Sequence, residues 1–149
     1  MPLKDDLNVE VAKIFKTQWK ETDARVVPAP EDLSLDNKAK KLEEAVVLYA
    51  DMSHSTKLVD EKKWHFSAEI YKAFLHCAAK VIRSKGGEIT AYDGDRIMAI
   101  YVGDTKNSSA ARTALKLNYV RINIINPLIK NQYPAETYKL EHVVGIDSG

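Results

Sequence analysis

The chain has 149 residues, the size of one ordinary domain and enough to bury roughly two-thirds of the surface its unfolded form exposes. Its 22 Lys and Arg against 21 Asp and Glu leave a formal net charge of +1. With the signs interspersed, bulk electrostatics offer no attraction for nucleic acid or an anionic membrane. The single cysteine, Cys77, excludes an intrachain disulfide and fits a reducing compartment. Among Ala73, Phe74, Ala78 and Val81 it reads as a buried, inert thiol. No apolar run approaches the roughly 18 residues of a membrane span, and Met1 to Asp6 carry no signal-peptide core, so a soluble cytoplasmic protein is expected.

From about Lys4 to Glu21, Leu7, Val11, Ile14, Phe15 and Trp19 recur at steps of three and four, which predicts an amphipathic helix. Val26-Val27-Pro28-Ala29-Pro30 breaks it. Residues 22–41 are charged and without period, a connector with one helical turn near Leu33. The cluster Lys38, Lys40 and Lys41, followed at once by Glu43 and Glu44, reads as solvated linker. Residues 1–41 thus form a helix and linker, and 42–149 the compact domain.

In that domain a strand is predicted over about Glu44 to Met52, apolar on both faces and therefore central, with cover on both sides. Ser53-His54-Ser55-Thr56 has helix N-cap chemistry, and Asp60 and Glu61 suit an early helical turn. A helix follows from about Lys63 to Ser84, with Phe66, Ile70, Phe74, Cys77 and Val81 on one stripe, stopped by Gly86-Gly87. Strands at Glu88 to Tyr92 and Asp95 to Val102 are joined by the hairpin signal Asp93-Gly94. A third helix spans about Ser108 to Lys130, bent or ended by Pro127, and a last strand about Tyr138 to Ile146. This order describes an α/β sandwich, an α+β arrangement with an antiparallel hairpin inside its sheet.

Two carboxylates then fall at strand tips. Asp51 closes the run Ala45 to Ala50, and Asp95 follows the hairpin turn. If their strands are neighbours, both carboxylates lie at one edge of the sheet, where hard divalent cations would sit. The turn Met52 to Thr56, opening a helix, offers unpaired N–H groups to a triphosphate. That equipment suits phosphoryl transfer.

The segments Val47-Leu48-Tyr49-Ala50-Asp51-Met52-Ser53-His54-Ser55-Thr56, Lys85-Gly86-Gly87-Glu88-Ile89 with Gly94-Asp95-Arg96-Ile97-Met98-Ala99, and Val144-Gly145-Ile146-Asp147-Ser148-Gly149 resemble, in order, three motifs of class III nucleotide cyclases. The resemblance implies a ferredoxin-like core with a mostly antiparallel sheet and helices packed on it. It also implies two Mn²⁺ or Mg²⁺ ions held by Asp51, Asp95 and the Met52 carbonyl, with Ser53, His54, Ser55 and Thr56 gripping the phosphates. The reaction would join the 3′-hydroxyl of a nucleoside triphosphate to its own α-phosphorus, in a homodimer with active sites at the subunit interface.

At the position where adenylate-forming members usually carry Lys and guanylate-forming members Glu, this chain has Ala91, which reads neither purine edge. In this it resembles the bacterial anti-phage cyclases that make cyclic UMP or cyclic CMP, the Pycsar systems, and the expected substrate is UTP, then CTP. Adenylate cyclisation and a non-catalytic nucleotide-binding module are the alternatives. Family members continue beyond the Gly149 position with further base-contacting and transition-state residues, so a truncated, inefficient form is expected. Lys57 and Arg96 read as solvated surface, His54 as an exposed spectator, and Asp93 as a turn residue outside the metal site. Tyr49 and Tyr92 read as aromatic packing that can border a base pocket.

Overall fold

The computed structural model of the protein describes residues 2–33 and 37–149, which divide into two units, Met1–Glu43 and Glu44–Gly149.

In the first unit, helix α1 (Pro2–Lys16) buries none of its residues. It stops short of the expected Glu21, with the Thr17 hydroxyl donating to the Lys13 carbonyl at 2.8 Å. The chain then enters strand β1 (Lys20–Ala24), which pairs in parallel with β2 (Lys38–Leu42). β1 begins inside the expected helix and otherwise lies, with nearly all of β2, in what the sequence reads as a connector, of which 34–36 lie outside the described residues. Neither Lys-Glu-Thr-Asp-Ala nor Lys-Ala-Lys-Lys-Leu alternates apolar with polar, so only backbone hydrogen bonding defines them. The helical turn near Leu33 is a 3₁₀ turn, Pro30–Asp32, where the Asp32 carboxylate accepts the Ala29 amide at 3.1 Å.

The second unit is built from β3 (Val46–Met52), α2 (Ser55–Glu61), α3 (Trp64–Arg83), β4 (Glu88–Asp93), β5 (Arg96–Tyr101), α4 (Lys106–Val120), α5 (Asn126–Gln132) and β6 (His142–Ser148). Its sheet has the order β4-β5-β3-β6, and every neighbouring pair is antiparallel. This is the split arrangement in which each helix crosses from one strand to another over the same face. Val46, Leu48 and Ala50 of β3 and Ile97, Ala99 and Tyr101 of β5 point into the core, where they join Phe66, Ile70, Phe74, Ala78 and Ile82 of α3 and Leu117 of α4. Each large apolar side chain buried there stabilises the fold by about 1.5–3 kcal/mol. The α3 stripe thus runs through Ala78 and Ile82, and the expected Cys77 and Val81 sit at its half-buried flank.

Central placement of β3 holds, but cover on both faces does not. Val47, Tyr49 and Asp51 alternate onto a face without helices, and Tyr49 is 42% exposed. Both crossovers run over the opposite face, so this one stays open.

Asp60 and Glu61 lie at the end of the short helix α2, not in the first turn of the long one. Lys62 adopts an extended conformation that separates the two helices, and the Ser67 hydroxyl donates to the Leu58 carbonyl at 3.0 Å, tying them together. The third helix is broken into α4, a π turn at Arg121–Ile125, and α5. Pro127 sits in the first turn of α5, where its missing N–H is tolerated. The last strand begins at His142 instead of Tyr138. Before it, fully buried Leu140 is held by the Asn126 side chain, which accepts from its amide at 2.8 Å and donates to its carbonyl at 3.1 Å.

Candidate active site

Strand alternation places Tyr49 and Asp51 on the open face of β3, and the register carries each across the sheet. Tyr49 is the Cα partner of Met98, and Met98 of Ala91; Asp51 is the partner of Arg96, and Arg96 of Asp93. Two lines of side chains therefore cross β3, β5 and β4 on the solvent face.

Asp95 is not on β5. Asp93 and Arg96 are Cα partners, so Gly94-Asp95 is the two-residue turn, one position later than the sequence suggests. Gly94 has φ +60° while Asp95 has no positive φ, the pattern of a type II′ turn with glycine first. The Met52 amide donates to the Asp95 carbonyl at 3.4 Å. The structure thereby brings the Asp95 turn against the end of β3 that carries Asp51. Both aspartates are partly exposed. Among the described residues no group of three or more His, Cys, Asp and Glu forms a metal cluster, so a cation here would rely on two carboxylates and a main-chain carbonyl. Those are hard oxygen donors, the set that suits Mg²⁺ or Mn²⁺.

Arg96 is not a free surface residue. Its Nε and Nη2 donate to Asp51 Oδ2 at 3.2 and 3.1 Å, and its guanidinium carbon lies 6.0 Å from the Tyr49 ring centroid. Tyr49, Ala91, Asp93, Arg96 and Met98 line a recess of about 150 Å³, so the position expected to read the base does front a cavity.

The turn Ser53 to Thr56 leads into α2. His54 has φ 59°, the left-handed region, which is costly for a residue with a Cβ and concentrates at functional turns. The Ser53 amide is engaged by the Glu141 carbonyl at 2.9 Å, so among the four residues expected to grip phosphate this N–H is already used. Ser53 and His54 border a cleft of about 290 Å³ that Lys57, Lys62 and Lys139 also line. Lys57 is 3.8 Å from Glu61 and Lys62 is 2.7 Å from Glu136.

No family model matches the chain. It is 52% identical over 149 residues to a uridylate cyclase of Burkholderia cepacia, covering 99% of this chain and 65% of that protein. To a uridylate cyclase of Xanthomonas perforans it is 42% identical over 149 residues, covering 99% of this chain and 64% of the relative. The chain thus spans a little under two-thirds of the length of these curated relatives. Among solved structures, the adenylyl cyclase CyaB from P. aeruginosa superposes with a TM-score of 0.59 at 22% identity, over 71% of this chain and 56% of that one. The guanylyl cyclase Cya2 superposes with a TM-score of 0.63 at 17% identity, over 72% and 54%.

The chain has the fold of these nucleotide cyclase domains, and uridylate cyclases are among the proteins it is similar to.

The ferredoxin-like core expected of such a cyclase is the fold observed. What sequence reading missed is the Arg96–Asp51 pair and the place of Asp93 beside it. Period-two alternation puts Tyr49 and Asp51 on one face, but which side chain stands across from them depends on a register that only the turn fixes. Away from the site, burial raises the Cys77 thiol above its ordinary range, in keeping with an unreactive cysteine. Burial and then the Arg121 charge lower the His142 imidazole, whose Nδ1 is buried without a partner.

Proposed function

We propose that this chain is the metal- and nucleotide-binding part of a uridylate cyclase, which converts UTP to 3′,5′-cyclic UMP and pyrophosphate. The observation that carries the reading is the Met52–Asp95 backbone contact, which joins the end of the strand carrying Asp51 to the turn carrying Asp95. The name shared by the relatives of 52% and 42% identity supports it.

In this reading Asp51, Asp95 and the Met52 carbonyl hold two Mg²⁺ or Mn²⁺ ions. When bound, those ions neutralise phosphate charge and make the 3′-hydroxyl more acidic. The turn from Ser53 to Thr56, with the remaining helix-start amides and the Thr56 hydroxyl, orients the triphosphate. The adjoining cleft offers Lys139 as a further cation, while its Lys57 and Lys62 are paired with Glu61 and Glu136, and Glu61 and Glu141 line it too. The recess between Tyr49, Met98 and Ala91 takes the base, and its small volume suits one six-membered ring. The 3′-oxygen then forms its bond to the α-phosphorus as the bond to the β-phosphate oxygen breaks. Pyrophosphate leaves and the hydroxyl proton passes to solvent.

A homodimer completes the picture. The open face of the sheet exposes Tyr49 and Val143, and a second copy laid over it would shelter the reacting groups from water. Among the described residues no helix is long and apolar enough to cross a membrane. Neither the surface nor the site calls for nucleic acid or a membrane as partner, and the cytoplasm is the proposed location. A role in anti-phage signalling follows from the resemblance to pyrimidine cyclases.

The test incubates the protein, extended to the length of its relatives, with each of the four ribonucleoside triphosphates and Mn²⁺ or Mg²⁺, and resolves the products. Cyclic UMP is expected in excess. Formation of no cyclic nucleotide from any of them would end the enzymatic reading, and a preference for ATP would end the assignment of the base.

A further inference from the structure

Arg96 stands between two carboxylates. Because β5 lies between β3 and β4, the same residue is the Cα partner of Asp51 on one side and of Asp93 on the other. Its guanidinium is turned toward Asp51, with both hydrogen bonds converging on the single oxygen Oδ2 at 3.2 and 3.1 Å. It also borders the recess that Asp93 and Tyr49 line.

We infer that Arg96 is a displaceable internal counter-ion: it occupies Asp51 while no divalent cation is bound, and swings toward Asp93 and the Tyr49 ring when one binds. The inference rests on the metal reading above and adds a competitor to it. A guanidinium cannot shed its proton at any pH the fold tolerates, so it cannot yield the carboxylate to a metal by becoming neutral. It must move. The pair is weak enough to allow this, since the side chains are 46% and 29% exposed and such partly solvated pairs are worth at most about 1 kcal/mol. The side chain also has somewhere to go. Asp93 offers a second carboxylate across the neighbouring strand, and the Tyr49 ring, already 6.0 Å away, offers a cation–π surface.

The movement would couple the two halves of the site. Cation binding at Asp51 would release the guanidinium from Oδ2 and leave its hydrogen-bond donors to the recess beside Ala91, which Arg96 and Asp93 already line.

The experiment titrates Mn²⁺ by calorimetry into the protein and into Arg96→Gln, and follows the Arg96 Nε–H resonance of ¹⁵N-labelled protein during a Mg²⁺ titration. Arg96→Gln is expected to bind Mn²⁺ about threefold more tightly, in line with the loss of a weak exposed pair. In the unsubstituted protein the Arg96 resonance is expected to shift with the same midpoint as the Mg²⁺ isotherm. Equal or weaker Mn²⁺ binding by Arg96→Gln, or an Arg96 resonance that stays put while calorimetry registers Mg²⁺ binding, overturns the counter-ion and leaves the metal reading standing. Absence of Mn²⁺ binding to both proteins overturns the two together.

Discussion

The main-chain amide of Met52 donates to the carbonyl of Asp95 at 3.4 Å, so the strand that ends in one acidic residue is joined to the turn that holds the other. Removing either carboxylate while keeping its size should therefore strip the same function. Asp51→Asn and Asp95→Asn, made in the full-length protein, are each expected to lower cyclic nucleotide formation about a hundredfold or more, the scale of losing a preorganised electrostatic group. Product assays at saturating Mn²⁺ read this, with circular dichroism to verify the fold. Activity within tenfold of the parent would remove that residue from the site.

Ala91 and Tyr49 frame the recess from opposite strands, with Met98 as the shared cross-strand partner. Ala91→Leu would fill the space without touching the aspartates, so KM for UTP is expected to rise at least about tenfold with kcat less affected, the pattern for lost ground-state binding. Tyr49→Ala enlarges the same space, and the ratio of UTP to ATP turnover is expected to fall. Steady-state kinetics with both nucleotides decide it.

Gly87 packs directly on the hairpin. A Cβ there would lie 2.5 Å from Tyr101 Cζ and 2.8 Å from Ile82 Cγ2. The tyrosine cannot step aside, because it is 1% exposed and its hydroxyl lies 2.8 Å from the Thr113 hydroxyl. Gly87→Ala is thus expected to cost about 3 kcal/mol, the upper end for overpacking a core, as read from urea midpoints. Tyr101→Phe removes only the hydrogen bond and is expected to cost about 1 kcal/mol.

His142 ties stability to acidity. Burial lowers its pKa in the folded chain below the ordinary 6.5, and its ring lies 5.7 Å from that of Phe74. Above that range the imidazole is neutral in both states and contributes nothing to the pH dependence. As pH falls through it, the unfolded chain takes up a proton that the folded chain refuses, so stability declines until the folded value is passed. Urea unfolding at about pH 7.5 and pH 5.5 should register a smaller loss for His142→Gln than for the parent. An equal loss in both would assign the acid sensitivity elsewhere.

The elements with a strong period were legible from the residues alone. Phe66, Ile70 and Phe74 announce α3, and Val46, Leu48 and Ala50 announce a buried strand. The first-unit strands were not legible, because Lys38 to Leu42 carries no alternation for burial to act on. The hairpin was found but placed one residue early. Asp93-Gly94 and Gly94-Asp95 are both acceptable two-residue turns, and the choice between them falls to the pairing of β4 with β5. Apolar residues on both faces of β3 suggested two covers, whereas Tyr49 faces solvent. Motif order singles out Asp51 and Asp95, whereas nothing local singles out Arg96, whose partner lies 45 residues away in the chain.

The type II′ turn at Gly94-Asp95 makes the hairpin tip a matter of length before it is a matter of chemistry. With only two residues between the paired Asp93 and Arg96, one inserted amino acid would lift the carboxylate away from the neighbouring strand while leaving every side chain in the sequence intact. Natural variants of this domain should therefore tolerate substitutions around the tip more readily than any indel there, and an engineered insertion would separate correct composition from correct spacing.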